Sequence, residues 1–160
     1  MQIYSFPPIS NTDSKILILG TMPGNDSLKM NQYYAHPRNA FWKIMFAIFD
    51  QPFSNDYGVK KELLLKNQIA LWDVLKACKR RGSLDVNIIE EEANNFKDFF
   101  KKHAHIHHIF FNGQQSSNYF LKNQKSAIPF TKLPSTSPAH TMSFNEKLTA
   151  WTVINMQLKK

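Results

Sequence analysis

Four short apolar runs, at positions 15–20, 69–72, 106–112 and 128–133, limit what this chain can become. Each is bounded by turn-forming or polar residues, and the stretches between them carry helical spacing. Continuous runs this short suit strands buried on both faces. Their alternation with helices predicts a parallel sheet covered on both sides, an α/β architecture. Phe41, Ile44, Met45 and Ile48 share one face of a helix that begins near Asn39. Further helices are expected near 59–66, 73–78, 90–102, 114–122 and 143–158. The last opens on Ser143 with Glu146 three residues later, the pattern of a capping box. No repeat, low-complexity tract or Gly/Ser linker interrupts the chain, so a single domain over residues 1–160 is expected.

Ligands of open parallel sheets bind beyond the carboxyl ends of the strands. That rule puts four segments on one rim: residues 21–38, the residues after Trp72, the Asn112-Gly113 turn and residues 134–141. These segments hold most of the unusual residues of the chain. The first starts Gly20-Thr-Met-Pro-Gly24 and runs on to Tyr33-Tyr-Ala-His-Pro-Arg-Asn-Ala-Phe-Trp42. No Gly-Lys-Ser/Thr follows the first glycine, and Gly-x-Gly-x-x-Gly is absent, so ATP and NAD lose their usual sequence support. Flat rings and amides in one loop suit a planar heterocycle better than a sugar or a lipid.

Charge points the same way. The chain carries 20 Lys+Arg against 12 Asp+Glu, a formal net charge of +8, which draws a compact protein to polyanions such as nucleic acid. Lys79, Arg80 and Arg81 form a basic stretch that either meets phosphates or is a solvated turn. Ser135, Thr136 and Ser137 lie in a proline-stiffened, hydroxyl-rich loop suited to phosphate contacts, with His140 close behind. With one cysteine, Cys78, no internal disulfide exists, and a reducing compartment is expected. The N-terminus lacks the basic start and apolar core of a signal peptide, and no apolar run approaches the roughly 18 residues of a membrane span. A cytoplasmic, monomeric protein is expected. His103, His105 and His107 alternate as zinc ligands would, but they precede the strand core and no cysteine or carboxylate joins them, so no metal is expected.

Two asparagines are the strongest candidates for chemistry. Asn39 either caps the helix that follows it or aims its amide across the rim at a ligand or a water. Asn112 is either half of an Asn-Gly turn or a donor–acceptor pair able to read the edge of a lactam base. Phe41 and Trp42 are either core or ring surface, and Asp73 is a candidate cap for a helix after it.

Together, these segments resemble the uracil-DNA glycosylase superfamily, and within it the hypoxanthine-DNA (DNA-deoxyinosine) glycosylase branch. The likeness runs through Phe6-Pro-Pro-Ile9, Gly20–Gly24, Tyr33–Trp42, Ala70-Leu-Trp-Asp-Val-Leu75, Gly82-Ser-Leu-Asp85, Phe111-Asn-Gly113 and Leu133-Pro-Ser-Thr-Ser-Pro138. It implies a three-layer α/β/α sandwich around a four-stranded parallel sheet. It also implies hydrolytic excision of a deaminated base, hypoxanthine, from DNA by a monofunctional enzyme without cofactor. On that pattern Asn39 is catalytic. Phe41, Tyr33 or Tyr34 stacks on the flipped base, Asn112 reads it, and Met22 lies in the first loop. Arg38, Lys79, Arg80, Arg81, Ser135, Thr136, Ser137 and His140 would meet the DNA. The chain departs from the wider superfamily at Met22, where many members place Asp or Asn, and at Leu133, where a histidine often precedes Pro-Ser. Both departures shift the catalytic burden to Asn39. Excision of uracil from mismatches and non-catalytic nucleic-acid binding are the rival readings.

Overall fold

The computed structural model describes all 160 residues. Its centre is a four-stranded parallel sheet in the order β3-β2-β6-β7, formed by β2 (Ile16–Gly20), β3 (Ile69–Asp73), β6 (His108–Asn112) and β7 (Phe130–Leu133). Every residue of β2 and β6 is buried, as strands covered on both faces require. Period-two alternation divides the core in two. Ile16, Ile18, Ile69, Leu71 and Phe110 face one cluster, closed by α2 (Phe41–Ile48), α3 (Tyr57–Lys66), α6 (Phe144–Trp151) and α7 (Ile154–Leu158). Leu17, Leu19, Ala70, Ile109 and Phe111 face the other, closed by α4 (Phe96–Lys102) and α5 (Gln114–Asn123). The three-layer α/β/α arrangement is the one the sequence implied.

Capping is local and legible. The Ser143 hydroxyl accepts from the Glu146 N–H at 3.2 Å and donates to the Glu146 carboxylate at 2.9 Å. Asp56 and Asn95 cap α3 and α4 in the same way. The helix expected over 143–158 breaks at Thr152–Val153 into α6 and α7.

One expected helix is a strand, and another is a strand over its first residues. Residues 75–79 form β4 (Leu75–Lys79), the centre of an antiparallel sheet with β1 (Gln2–Tyr4) and β5 (Ile89–Ala93). Val74, Leu75 and Cys78 mimic helical spacing because a register shift in β4 lets neighbouring residues share the buried side. The acidic run that seemed to open a helix at residue 90 is the edge strand β5, and α4 begins only after its Asn95 cap. A short α1 (Asn25–Met30), not anticipated, sits inside the first rim loop.

Candidate active site

β2, β3 and β6 end side by side in Gly20, Asp73 and Asn112. Gly20 pairs with Asp73 and Ile18 with Phe110, so alternation puts all three terminal residues on the face that α2 covers. Tyr34 lies across them. A Cβ on Gly20 would sit 2.6 Å from Asp73 Oδ1 and 2.7 Å from the Tyr34 hydroxyl oxygen. Glycine is what lets a carboxyl and a phenol come this close to the strand. Tyr34 holds φ at +54°, a backbone state unfavourable for an aromatic residue, and its ring packs on Phe41 with centroids 4.3 Å apart.

The Tyr34 hydroxyl and Asp73 Oδ2 are buried, and neither has a hydrogen-bond partner. Such groups are rare, and each costs about 1–3 kcal/mol. Two at one spot make a polar floor with hydrogen-bonding capacity left over. Asp73 is 3% exposed. Burial pushes its carboxyl up to about 7, with the charge of Asp85 adding and Arg80 opposing. The Tyr33 and Tyr34 phenols are driven far up, by burial first and by Asp73 second, and stay neutral.

One chain of hydrogen bonds joins this floor to the helix above it. The Asn112 amide donates to Thr136 Oγ1 at 3.0 Å and accepts from the Thr136 N–H at 2.9 Å. The Thr136 carbonyl in turn accepts from the Ala40 N–H at 3.0 Å. Trp151 Nε1 donates to the Pro134 carbonyl and Lys147 Nζ to the Ser137 carbonyl, so α6 holds the same loop from its other side. Asn39 sits where these elements meet. Its Oδ1 accepts from the Phe41 N–H at 3.0 Å, which starts α2, and it lines an open pocket of about 220 Å³ with Arg38, Lys43, His140 and Lys147. Ala40 rather than Asn39 occupies the N-cap position, so Asn39 leads into α2 through an Asx turn of its oxygen and keeps its Nδ2 hydrogens for other partners.

The structure redistributes several expected roles. Phe41 is 0% exposed, closed in by Tyr34, Trp42 and Trp151, and has no free face to offer a base. It backs Tyr34, the half-buried ring of the pair. Tyr33 is core: its hydroxyl donates to the Pro7 carbonyl, and its carbonyl accepts from Trp42 Nε1. Met22 packs with Val74, Leu75 and Cys78 in the cluster on the far face of the sheet. Both ends of the Asn112 amide engage Thr136, with one Nδ2 hydrogen left over. Thr136, fully enclosed, is a strut and not a DNA contact.

The basic stretch divides as well. Lys79 pairs with Glu90 at 2.8 Å. Arg80 bonds the carbonyls of Pro23 and Gly82, clamping the first rim loop to the turn after β4. Ser83 strengthens the clamp by accepting from the Asn25 N–H. Arg81 is exposed. Ser135 and Ser137 accept from amides of their own loop, at Ser137 and Ala139, and keep its shape. Arg38 and His140 are exposed beside Asn39. His103, by contrast, stacks on Phe99 and engages Ser10 and the Phe99 carbonyl through its two ring nitrogens, away from the rim.

Asp73 is the residue that sequence reasoning underrated. Reading a helix after β3 made it a cap, whereas no helix follows and the carboxyl turns into the site. An acidic residue ending a fully apolar strand was the available signal.

The chain belongs to the uracil DNA glycosylase superfamily, whose sequence profile matches residues 7–159. Among named relatives it is similar to the hypoxanthine DNA glycosylase of Methanosarcina barkeri, 34% identical over 152 residues, covering 94% of this chain and 96% of that one. The hypoxanthine DNA glycosylase of Methanosarcina acetivorans is 33% identical over 150 residues, covering 93% and 95%. A solution NMR structure of a candidate uracil DNA glycosylase from Methanosarcina acetivorans superposes with a TM-score of 0.87 at 30% identity over 100% of both chains. No helix here is long and apolar enough to cross a membrane.

Proposed function

We propose that this protein is a DNA glycosylase that flips hypoxanthine out of DNA and hydrolyses its N-glycosidic bond, leaving an abasic site. The observation that carries the reading is the unsatisfied polar floor of Gly20, Asp73 and Tyr34 on the ligand rim of a member of this superfamily. Both Methanosarcina relatives are hypoxanthine DNA glycosylases by name.

A base cannot be reached inside the stack, so the nucleotide must leave it, drawn by a basic surface into a ring-lined pocket. Here the base enters beside Tyr34, with Phe41 rigid behind that ring. Breaking the bond from C1′ to the base sends the electron pair onto the base and leaves an oxocarbenium-like sugar. Asp73, neutral below about pH 7, donates to the base as that charge grows. An ionised carboxylate would repel it. Donors fixed in advance in a water-poor site cost no reorganisation when the charge appears. Asn39 holds the water whose oxygen bonds to C1′, and the proton that this water gives up passes through solvent to neutralise the departed base. Its own amide is no base at neutral pH, so its work is positional. Adenine, which lacks the oxo group, leaves these buried polar groups unpaired. The protein acts as a single domain and a monomer, in the cytoplasm, on DNA carrying deaminated bases.

The test uses labelled duplexes with inosine or uracil at one site, with alkali to break abasic products. Strand breakage at inosine is expected. Breakage at uracil alone, or at neither base, overturns the reading. Asn39→Ala should lose excision by 100-fold or more, roughly the value of a positioned group, while salt-sensitive DNA binding persists. An unchanged rate removes Asn39 from the chemistry.

A further inference from the structure

The pocket beside Asn39 holds a second functional element. It opens between the start of α2 and residues 138–144, and three of its walls end in cations: Arg38, Lys43 and Lys147. No carboxylate lines it, and none of the three cations belongs to an ion pair. Lys147 is the unusual member. It rises from α6 and is 4% exposed, yet its ammonium makes a single hydrogen bond, to the Ser137 carbonyl at 3.0 Å. Two of its N–H groups remain unused. A lysine buried without a counter-charge is costly, and burial lowers its pKa accordingly.

We propose that this pocket is a phosphate subsite: Lys147, with Arg38 and Lys43, takes the phosphodiester beside the flipped nucleotide and fixes that nucleotide against Asn39. The proposal rests on the reading of the protein as a DNA glycosylase. A phosphodiester supplies the missing charge and the acceptors for the unused N–H groups. It also resolves an electrostatic conflict. Three uncompensated cations next to a sugar that turns positive would raise the barrier, whereas a seated phosphate lowers it. The Ser137 carbonyl aims the ammonium, so the same loop that Thr136 ties to the base floor also sets the strand.

The experiment measures binding to a duplex carrying a tetrahydrofuran abasic analogue, which needs no base and no turnover. Each phosphate flanking the analogue is replaced in turn by a neutral methylphosphonate. Wild type should lose about tenfold or more in affinity at one of these positions, the value of a charged hydrogen bond. Lys147→Met should show part of that loss on unmodified DNA and a clearly smaller further loss at that position, where Arg38 and Lys43 still act. Lys147→Arg should stay sensitive to it. The salt slope of Lys147→Met should fall by about 0.9. Independent, additive effects of Lys147→Met and every methylphosphonate would overturn the proposal. Should Lys147→Met fail to fold, Lys43→Met and Arg38→Gln, both at exposed positions, must show the same non-additivity at the same phosphate. Inosine excision is scored separately: coupling without excision would leave the subsite standing and remove the glycosylase reading.

Discussion

Asp73→Asn tests the polar floor at one atom, keeping the shape of the side chain and removing its titration. The native carboxyl titrates near 7 instead of 3.8 because it is buried, with Asp85 adding to the shift and Arg80 opposing it. Tyr33, Tyr34 and Tyr57 also face it, all held neutral by burial. Between the two values the native state keeps a proton that the unfolded chain has lost. Stability therefore falls as pH rises from about 4 to about 7, and levels off above that. A shift of roughly three units at about 1.4 kcal/mol each amounts to about 4 kcal/mol. Asp73→Asn abolishes this loss. Its amide hydrogens also lack a partner, which lowers its stability by an amount independent of pH.

The informative quantity is thus the slope, not the offset. Urea unfolding of both proteins at several pH values from about 5 to about 8 spans roughly two of those units and should show the difference between them moving toward the variant by about 3 kcal/mol. Taking the difference cancels groups that titrate alike in both. Asp85, also raised by burial, titrates while Asp73 is still protonated and so alike in both proteins. Excision should follow: wild type slows as pH rises through about 7, and the variant, which keeps an N–H donor, is slower but flat. Parallel stability profiles across that range would refute the argument, because the carboxyl would then be ionised in the native protein.

Gly20→Ala places a methyl group 2.6 Å from Asp73 Oδ1 and 2.7 Å from the Tyr34 hydroxyl. Overpacking of this kind should cost about 1–3 kcal/mol by thermal or urea unfolding, and excision should drop while weak DNA binding survives. Wild-type excision by this variant would show that the base binds elsewhere. Thr136→Val removes the acceptor of the Asn112 amide inside a closed core. It should destabilise by about 1–3 kcal/mol and slow excision through the loosened loop. An unchanged urea midpoint would mean that the contact does not hold the loop.

The centre of the parallel sheet was legible because β2 and β6 are buried on both faces. Nothing but a continuous apolar run satisfies that environment, and runs such as 16–19 and 108–111 therefore carry their own assignment. The antiparallel sheet was not legible. β4 pairs on both edges but is irregular in register, and its pattern of buried residues passes for one turn of helix. That single misreading hid Asp73, since a carboxylate before a supposed helix has a ready explanation as a cap. Asn39 was legible as an asparagine placed just before a helix, and there its Oδ1 accepts from the Phe41 N–H as an Asx turn into α2.

Charge was legible in total and illegible in detail, for a physical reason. Net charge determines whether a surface attracts a polyanion, whereas geometry determines which cations are free to meet it. Arg80 lies in the most basic stretch of the chain, yet it bonds two backbone carbonyls. A guanidinium already holding a loop gives little to a phosphate. Lys147 lies on a helix with an acidic residue beside it in sequence, yet its ammonium has no carboxylate partner and two N–H groups to spare. Counting the carbonyls and carboxylates that each cation already serves inverts the order of suspicion that sequence proximity suggests. On this count, neutralising Arg80 acts on stability by freeing the first rim loop. Neutralising Lys147 should weaken the proposed phosphate subsite and also release the Ser137 carbonyl.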